Sequence, residues 1–133
     1  MTRALLVALA VPAASAPPAI ASDVTGIWMR DDGSARLRFS ACGGGAICGF
    51  LAWKKEPGGA AKIGQKLFSD MKPSGEGSWA GTAFNPQDGK RYTAKLTLSG
   101  DHLVTAGCVL GGLICQSFDW TRTRAPERGF ETR

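Results

Sequence analysis

The sequence predicts an all-β protein, a small antiparallel meander of about eight strands closed into a barrel. Apolar residues recur with a period of two, which is typical of strands that bury one face. Eighteen glycines and seven prolines divide the chain into short segments. The connections are too short for parallel crossovers, and closure removes the exposed edges that an open sheet would leave.

The N-terminus predicts a secretory signal peptide. Arg3 supplies a positive start, and the apolar run 4–16 is too short to cross a bilayer as a helix. Small residues allow cleavage after Ala16 or after Ala21, and the first site would leave Pro17 at the new terminus. We therefore expect cleavage after Ala21, a periplasmic or secreted protein, and no membrane span.

Removing residues 1–21 leaves 112 of the 133 residues, enough for one hydrophobic core. We expect a single β-barrel domain over residues 22–122 and a flexible, polar C-terminal tail over residues 123–133. The one long connection, residues 54–66, is predicted to carry a short helix or a lid.

The predicted strands lie between glycine, proline and aspartate turns. Leu37 and Phe39 alternate with arginines, and Phe118 and Trp120 alternate with polar residues. The alternation is clearest in the sixth segment, where Tyr92 begins the apolar series. In chain order the strands are expected near 26–30, 34–42, 46–53, 65–71, 77–85, 90–98, 102–108 and 114–122.

Four cysteines form two close pairs in the sequence, and each pair brackets a glycine-rich reversal. Export permits disulfides, and four cysteines allow three connectivities. We favour the local bonds Cys42–Cys48 and Cys108–Cys115, because a reversal brings the flanking strand ends together. Structural zinc ligands are usually about two to four residues apart, and the wider spacing here argues against zinc.

The formal net charge is +5, or +4 once the single arginine of the signal peptide is removed. The basic residues are dispersed, and the longest run is Lys54-Lys55. A nucleic-acid interface needs a concentrated basic stripe, so no nucleic-acid partner is expected. Weak attraction to an anionic envelope surface is the most that this charge predicts.

No catalytic constellation is visible, and we expect the protein not to be an enzyme. His102 is the single histidine, no Gly-x-Ser-x-Gly elbow is present, and one histidine cannot build a histidine-rich metal site. Nothing in the sequence brings the carboxylates of Asp88 and Asp119 together for glycosidic chemistry. No cofactor or metal is expected.

The segment from Asn85 through Pro86 and Asp88 to Gly89 is interpreted as turn chemistry rather than as a binding motif. Proline presets one turn dihedral, glycine supplies a positive one, and Asn and Asp side chains bond their own backbone.

The chain resembles the calycin and lipocalin pattern at both ends of the predicted barrel. Gly26-Ile27-Trp28 opens the first strand and Trp120-Thr121-Arg122 closes the last. The resemblance implies that Trp28 seals one end of a lipocalin-like barrel, with the guanidinium of Arg122 stacked on its indole beside Gly26.

A second resemblance covers residues 26–122. The chain is similar to the bacterial envelope family catalogued as domain of unknown function 2147, which implies a small secreted barrel with no established activity. The connection 54–66 is shorter than is usual there. The motifs, in order, are Gly26-Ile27-Trp28, Cys42-Gly43-Gly44, Ile47-Cys48-Gly49 with Trp53, Lys72-Pro73, Trp79-Ala80-Gly81, Asn85 to Lys90 with Tyr92, Gly107-Cys108, Cys115 and Trp120-Thr121-Arg122.

We expect the aromatic residues to carry the function. The first hypothesis is a pocket for one small, mostly apolar ligand, lined by Trp53, Trp79, Phe84 and Tyr92. The alternative is an envelope structural or interaction protein whose aromatics simply fill the barrel. The sequence predicts neither the identity of a ligand nor the partner proteins and the oligomeric state.

Overall fold

The computed structural model describes residues 24–123. Eight antiparallel strands, each bonded to the next, close into a barrel through pairing of the first strand with the last, which confirms the predicted fold. The predicted signal peptide and most of the predicted tail lie outside the described residues. The strands are β1 (Gly26–Arg30), β2 (Ala35–Gly43), β3 (Ala46–Lys54), β4 (Lys66–Pro73), β5 (Ser78–Asn85), β6 (Lys90–Ser99), β7 (His102–Val109) and β8 (Ile114–Arg122).

Connections alternate between the two ends of the barrel because every neighbouring pair is antiparallel. We call one end the closed end. It carries the β2–β3, β4–β5 and β6–β7 turns, together with Val24 and Arg122. The open end carries the β1–β2, β3–β4, β5–β6 and β7–β8 connections. The last of these includes a short 3-10 turn, Leu110–Gly112.

The connection between β3 and β4 forms no helix, so that part of the prediction is wrong. Pro57 begins a stretch in which Gly58, Gly59 and Gly64 all have positive φ, which a helix does not accommodate. The loop is bound to the end of β3 instead, since the Lys54 ammonium donates to two loop carbonyls, those of Gly58 and Ala61.

The core lies inside the barrel, mainly toward the closed end. Three of the four tryptophans, Trp28, Trp79 and Trp120, are 0%, 4% and 5% exposed. The Trp120 indole N–H donates to the hydroxyl of buried Thr105 at 3.0 Å. Aliphatic and aromatic side chains from five further strands fill the space between them: Leu37, Phe39, Ile47, Met71, Ala94, Leu96 and Leu103.

A β-bulge between β2 and β3 turns one tryptophan away from the core. Leu37 is opposite Leu51, yet its neighbour Arg36 is opposite Trp53, so Ala52 is an extra residue. Strict alternation would place Leu51 and Trp53 on the same face. With the extra residue, Trp53 lies on the outer face, 37% exposed, and the Arg36 guanidinium lies 4.9 Å from its ring centre.

A second irregularity interrupts β4, where one extra residue separates Ser69 from Lys72 in their pairing with β5. Asp70 adopts a φ of 55° at this point. Gly81 lies opposite on β5, and a β-carbon there would be 2.5 Å from the Asp70 carbonyl oxygen. The close approach of the two backbones therefore requires glycine at this position.

Both cysteine pairs predicted from the sequence are at disulfide distance and bonded, Cys42 to Cys48 and Cys108 to Cys115. Each bond joins the two strands beside a hairpin tip, one at each end of the barrel. Within residues 24–123 no helix is long and apolar enough to cross a membrane.

Candidate functional site

The open end of the barrel has a mouth lined by partly buried side chains. Register pairs Phe68 with Ala83 and Ala83 with Tyr92, which places all three on one face. Phe118 is paired with Thr105, and Gly107 is paired with Ala94. Because Thr105 and Ala94 are buried, Phe118 and Gly107 also face the interior of the barrel. We call Phe68, Ala83, Tyr92, Gly107 and Phe118 the mouth residues.

The floor of the mouth is closed. Buried side chains fill the barrel below the mouth residues. One of them, Phe39, packs against Phe68 with ring centres 5.6 Å apart. Gly49 makes room for the Phe39 ring, since a β-carbon at Gly49 would be 2.5 Å from it. At the level of these rings, β5 and β7 carry only the small residues Ala83 and Gly107.

One cation lies at the rim of the mouth. Arg30 ends β1 opposite Trp120, and its guanidinium lies 3.9 Å from the centre of the Phe118 ring. It is also within 3.7 Å of the Asp32 carboxylate. Hydrogen bonds from Ser34, and then the charge of Arg30, hold the pKa of Asp32 below its usual value. The mouth therefore combines aromatic faces with a guanidinium.

Tyr92 is oriented by the turn that precedes it. Its hydroxyl donates a hydrogen bond to Asp88, which raises the pKa of Tyr92 and lowers that of Asp88. Asp88 also accepts from the Lys90 backbone N–H, and Asn85 accepts from that of Gln87, each at 2.9 Å. The segment from Asn85 through Pro86 to Gly89 thus has the geometry of a turn that also positions Tyr92.

The closed end contains the residues of the lipocalin resemblance. The Arg122 guanidinium lies 4.4 Å from the Trp28 ring centre and donates to the Thr25 carbonyl at 3.1 Å. Gly26 has a φ of 122°, and a β-carbon there would be 3.5 Å from the same guanidinium. The Trp28 indole N–H donates to the Val24 carbonyl, so this end of the barrel is sealed.

The four candidate pocket residues do not meet in the structure. Trp79 is buried near the closed end, whereas Trp53 lies on the outer face near the open end. Phe84 is opposite Arg91 and Tyr92 is opposite Ala83, so Phe84 and Tyr92 lie on opposite faces of the sheet. Only Tyr92 is a mouth residue.

The sequence did not indicate a groove on the outer face of β4, β5 and β6. Its volume is about 460 Å³, and the Arg91 guanidinium in it lies 5.6 Å from the centre of the Phe84 ring. The groove depends on the register of three strands, which no local motif signals. Its lining residues are Gln65, Lys66, Leu67, Ser69, Phe84 and Arg91.

His102 and Asp119 form a pair on the outer face, with Nε2 3.3 Å from the carboxylate. Both side chains are about half exposed, at 47% and 55%. Thr121 is opposite His102 in register, and its hydroxyl donates a hydrogen bond to the Asp31 carboxylate. No cluster of metal-ligating side chains occurs in the part of the chain that the structure describes.

Comparison with known proteins gives one match. The family model described as "Uncharacterized protein conserved in bacteria (DUF2147)" matches residues 26–122, which include all eight strands. No curated protein and no solved structure shows significant similarity to the chain.

Proposed function

The chain belongs to the bacterial family DUF2147, with the whole barrel inside the matched region, and we propose, from the side chains at the open end, that it is a binding protein and not an enzyme. In this proposal one small, mostly apolar ligand occupies the mouth at the open end. The single observation that carries it is the set of partly buried aromatic rings around Ala83 and Gly107, above a closed floor.

The chemistry of the mouth indicates the kind of ligand. Phe68 and Phe118 offer apolar ring faces, and Tyr92 adds a hydroxyl that Asp88 already orients. The guanidinium of Arg30 at the rim is paired with the Asp32 carboxylate, so the rim favours a polar group and not a second anion. A flat or chain-like apolar body with one polar end fits this arrangement.

The proposal places the protein outside the cytoplasm, periplasmic or secreted, after cleavage behind Ala21. Two disulfides in one small domain support this, because such bonds persist in oxidising compartments. N-terminal sequencing of protein isolated from its host tests the cleavage site directly, and Ser22 is the expected first residue.

The second candidate function is that of an envelope structural or interaction protein with a packed interior. The observation that favours it is the burial of Trp28, Trp79 and Trp120 together. These three indoles fill the closed end and restrict any ligand to the mouth, so the two candidates differ only in what the mouth does.

Native mass spectrometry of protein purified gently from the periplasm of its host separates the two candidates. We expect an added mass that denaturation releases. The variant Gly107→Leu fills the mouth, and a β-carbon at this position meets nothing closer than 3.6 Å. It should lose the added mass. Thr97→Leu, on the exposed outer face of β6, should retain it.

A clean apo mass for the wild-type protein, together with no saturable binding of the anionic dye anilinonaphthalene sulfonate, contradicts the ligand proposal. That result favours the packed interaction protein. Equal ligand retention by the Gly107→Leu variant would place the ligand somewhere other than the mouth.

A further inference from the structure

The large apolar side chains that the barrel exposes are confined to one end. Within residues 24–123, all six lie at the open end, although the core is concentrated at the closed end. Two are on β3 and the loop that follows it, and four surround the β7–β8 turn: Trp53, Ile63, Val109, Leu110, Leu113 and Ile114. The four beside the β7–β8 turn are neighbours, and exposed apolar side chains grouped in this way mark an interaction surface.

We call the hairpin tip formed by Val109, Leu110, Leu113 and Ile114 the apolar tip; Trp53 and Ile63 belong to the opposite side of the barrel. Leu110 is 66% exposed and Leu113 is 82% exposed. Leu110 also has a φ of 55°, a backbone conformation that disfavours leucine. Leu110 therefore stays exposed to water although neither its backbone conformation nor burial stabilises a leucine there.

The apolar tip extends beyond the neighbouring strand. β1 pairs with β8 only between Trp120 and Arg122, so the rest of the hairpin continues past the end of β1. From Trp120 to Leu113 the chain covers roughly 20 Å along the strand. The Cys108–Cys115 bond joins the two strands just below the tip and holds them together there.

Charge is distributed unequally between the two ends. The closed end carries two basic and three acidic side chains, counted over segments 70–79, 98–103 and 121–123. The open end carries eight basic side chains against four acidic ones. The basic residues are Arg30, Arg36, Lys54, Lys55, Lys62, Lys66, Lys90 and Arg91, and the acidic ones are Asp31, Asp32, Glu56 and Asp88.

Because the exposed apolar side chains and the excess of basic side chains lie at the same end, we propose that the open end docks on the surface of an anionic phospholipid bilayer. In this arrangement the apolar tip enters the boundary between headgroups and acyl chains. Aliphatic side chains that carry no hydrogen-bonding group suit the boundary between headgroups and acyl chains, and the cations at the same end of the barrel suit anionic headgroups. The docking goes beyond the proposed ligand binding and does not require a ligand in the mouth.

Co-sedimentation of the disulfide-intact protein with lipid vesicles tests the docking. The wild-type protein should pellet with phosphatidylcholine vesicles that contain phosphatidylglycerol, and much less with phosphatidylcholine alone. The double variant Leu110→Asn with Leu113→Ser should bind roughly tenfold more weakly or not at all, since it removes the two most exposed apolar side chains. Asn tolerates the backbone of position 110.

Charge variants test the electrostatic part. Lys55→Gln with Lys62→Gln should weaken binding to the anionic vesicles, and added salt should weaken that of the wild-type protein. Lys72→Gln, at the closed end, is the matched control and should leave binding unchanged. The Gly107→Leu variant should still pellet, so failure of ligand binding and failure of docking are distinguishable.

Three results of the vesicle experiments would overturn the docking. They are a wild-type protein that stays in solution with anionic vesicles, a double variant that pellets as the wild type does, and equal binding to both kinds of vesicle. A wild-type dimer that the double variant dissociates also contradicts it, because a second copy would then cover the apolar tip.

Discussion

Arg122 lies with its guanidinium 4.4 Å from the centre of the Trp28 ring, although 93 residues separate the two in the chain. Its Nε donates to Asp101 at 3.2 Å, and Nη1 donates to the Thr25 carbonyl at 3.1 Å. One side chain thereby ties together the start of β1, the β6–β7 turn and the end of β8.

Replacing Arg122 with Met should reduce the free energy of unfolding by about 2–3 kcal/mol, because both the cation–π contact and the charge-assisted hydrogen bonds are lost. Urea unfolding followed by tryptophan fluorescence measures the loss. Arg91→Met is the matched control, since Arg91 also lies over a ring, that of Phe84, but on the exposed outer face. Its cost should stay below about 0.5 kcal/mol, and equal losses would refute a sealing role for Arg122.

Gly81→Ala should destabilise the barrel by roughly 3 kcal/mol or more, because the new methyl group would be within 2.7 Å of Met71 Sδ and of two β4 carbonyl oxygens. Thermal unfolding followed by circular dichroism measures the change. Gly107→Ala adds the same methyl group on the next strand but one, where its nearest neighbour is 3.6 Å away. A fall of similar size in both variants would show that the bulge in β4 is not what excludes a side chain.

Tyr92 is the single tyrosine of the chain, so an ultraviolet tyrosinate titration reports on it alone. Its hydrogen bond to Asp88 raises the pKa of Tyr92 above the ordinary 10.0. The stability that this bond contributes through Tyr92 is complete below pH 10.0 and is lost as the pH rises through the raised value. Asp88→Asn should lower the pKa of Tyr92, and an unchanged titration midpoint would contradict the contact.

The lowered pKa of Asp88 has the opposite pH dependence. Its contribution to stability is present above the ordinary value of 3.8 and is lost as the pH falls through the lowered one. Unfolding measured across the acid range should show this loss in the wild-type protein and not in Asp88→Asn.

The two disulfides should respond differently to removal of one cysteine. Cys42→Ser leaves the thiol of Cys48, which is 2% exposed, so a thiol reagent should modify it slowly in the folded protein. Cys108→Ser leaves Cys115, which is exposed and should react at once. Each variant should lose about 2 kcal/mol of stability. Peptide mapping that finds the label on a cysteine of the other pair would overturn the connectivity.

Local patterns were sufficient to predict the strands. Period-two alternation set the strand interiors, as in the segment that begins at Tyr92, and glycine and proline turns set their ends. The disulfide pairing could also be predicted from local pattern, since each bond closes a short reversal of the chain. The order of motifs over residues 26–122 also indicated the family correctly.

The candidate pocket could not be predicted in this way. The face on which Trp53 lies depends on an extra residue in β3, because one inserted residue moves every later side chain to the other face. Phe84 is different, because it is five residues from Trp79 in the same regular strand, and alternation alone places the two on opposite faces. The bulge beside Trp53, by contrast, leaves no mark in the alternation itself.

The sequence by itself therefore determined the elements of this protein: eight short strands, their turns and the cysteine pairs beside two of them. Only the tertiary structure decided which ends meet. Closure of β1 onto β8 brings Arg30 to Phe118 and Arg122 to Trp28, contacts that span most of the chain. Antiparallel order alone returns every second connection to the same end, and closure then sets the apolar tip and the basic loops around one opening.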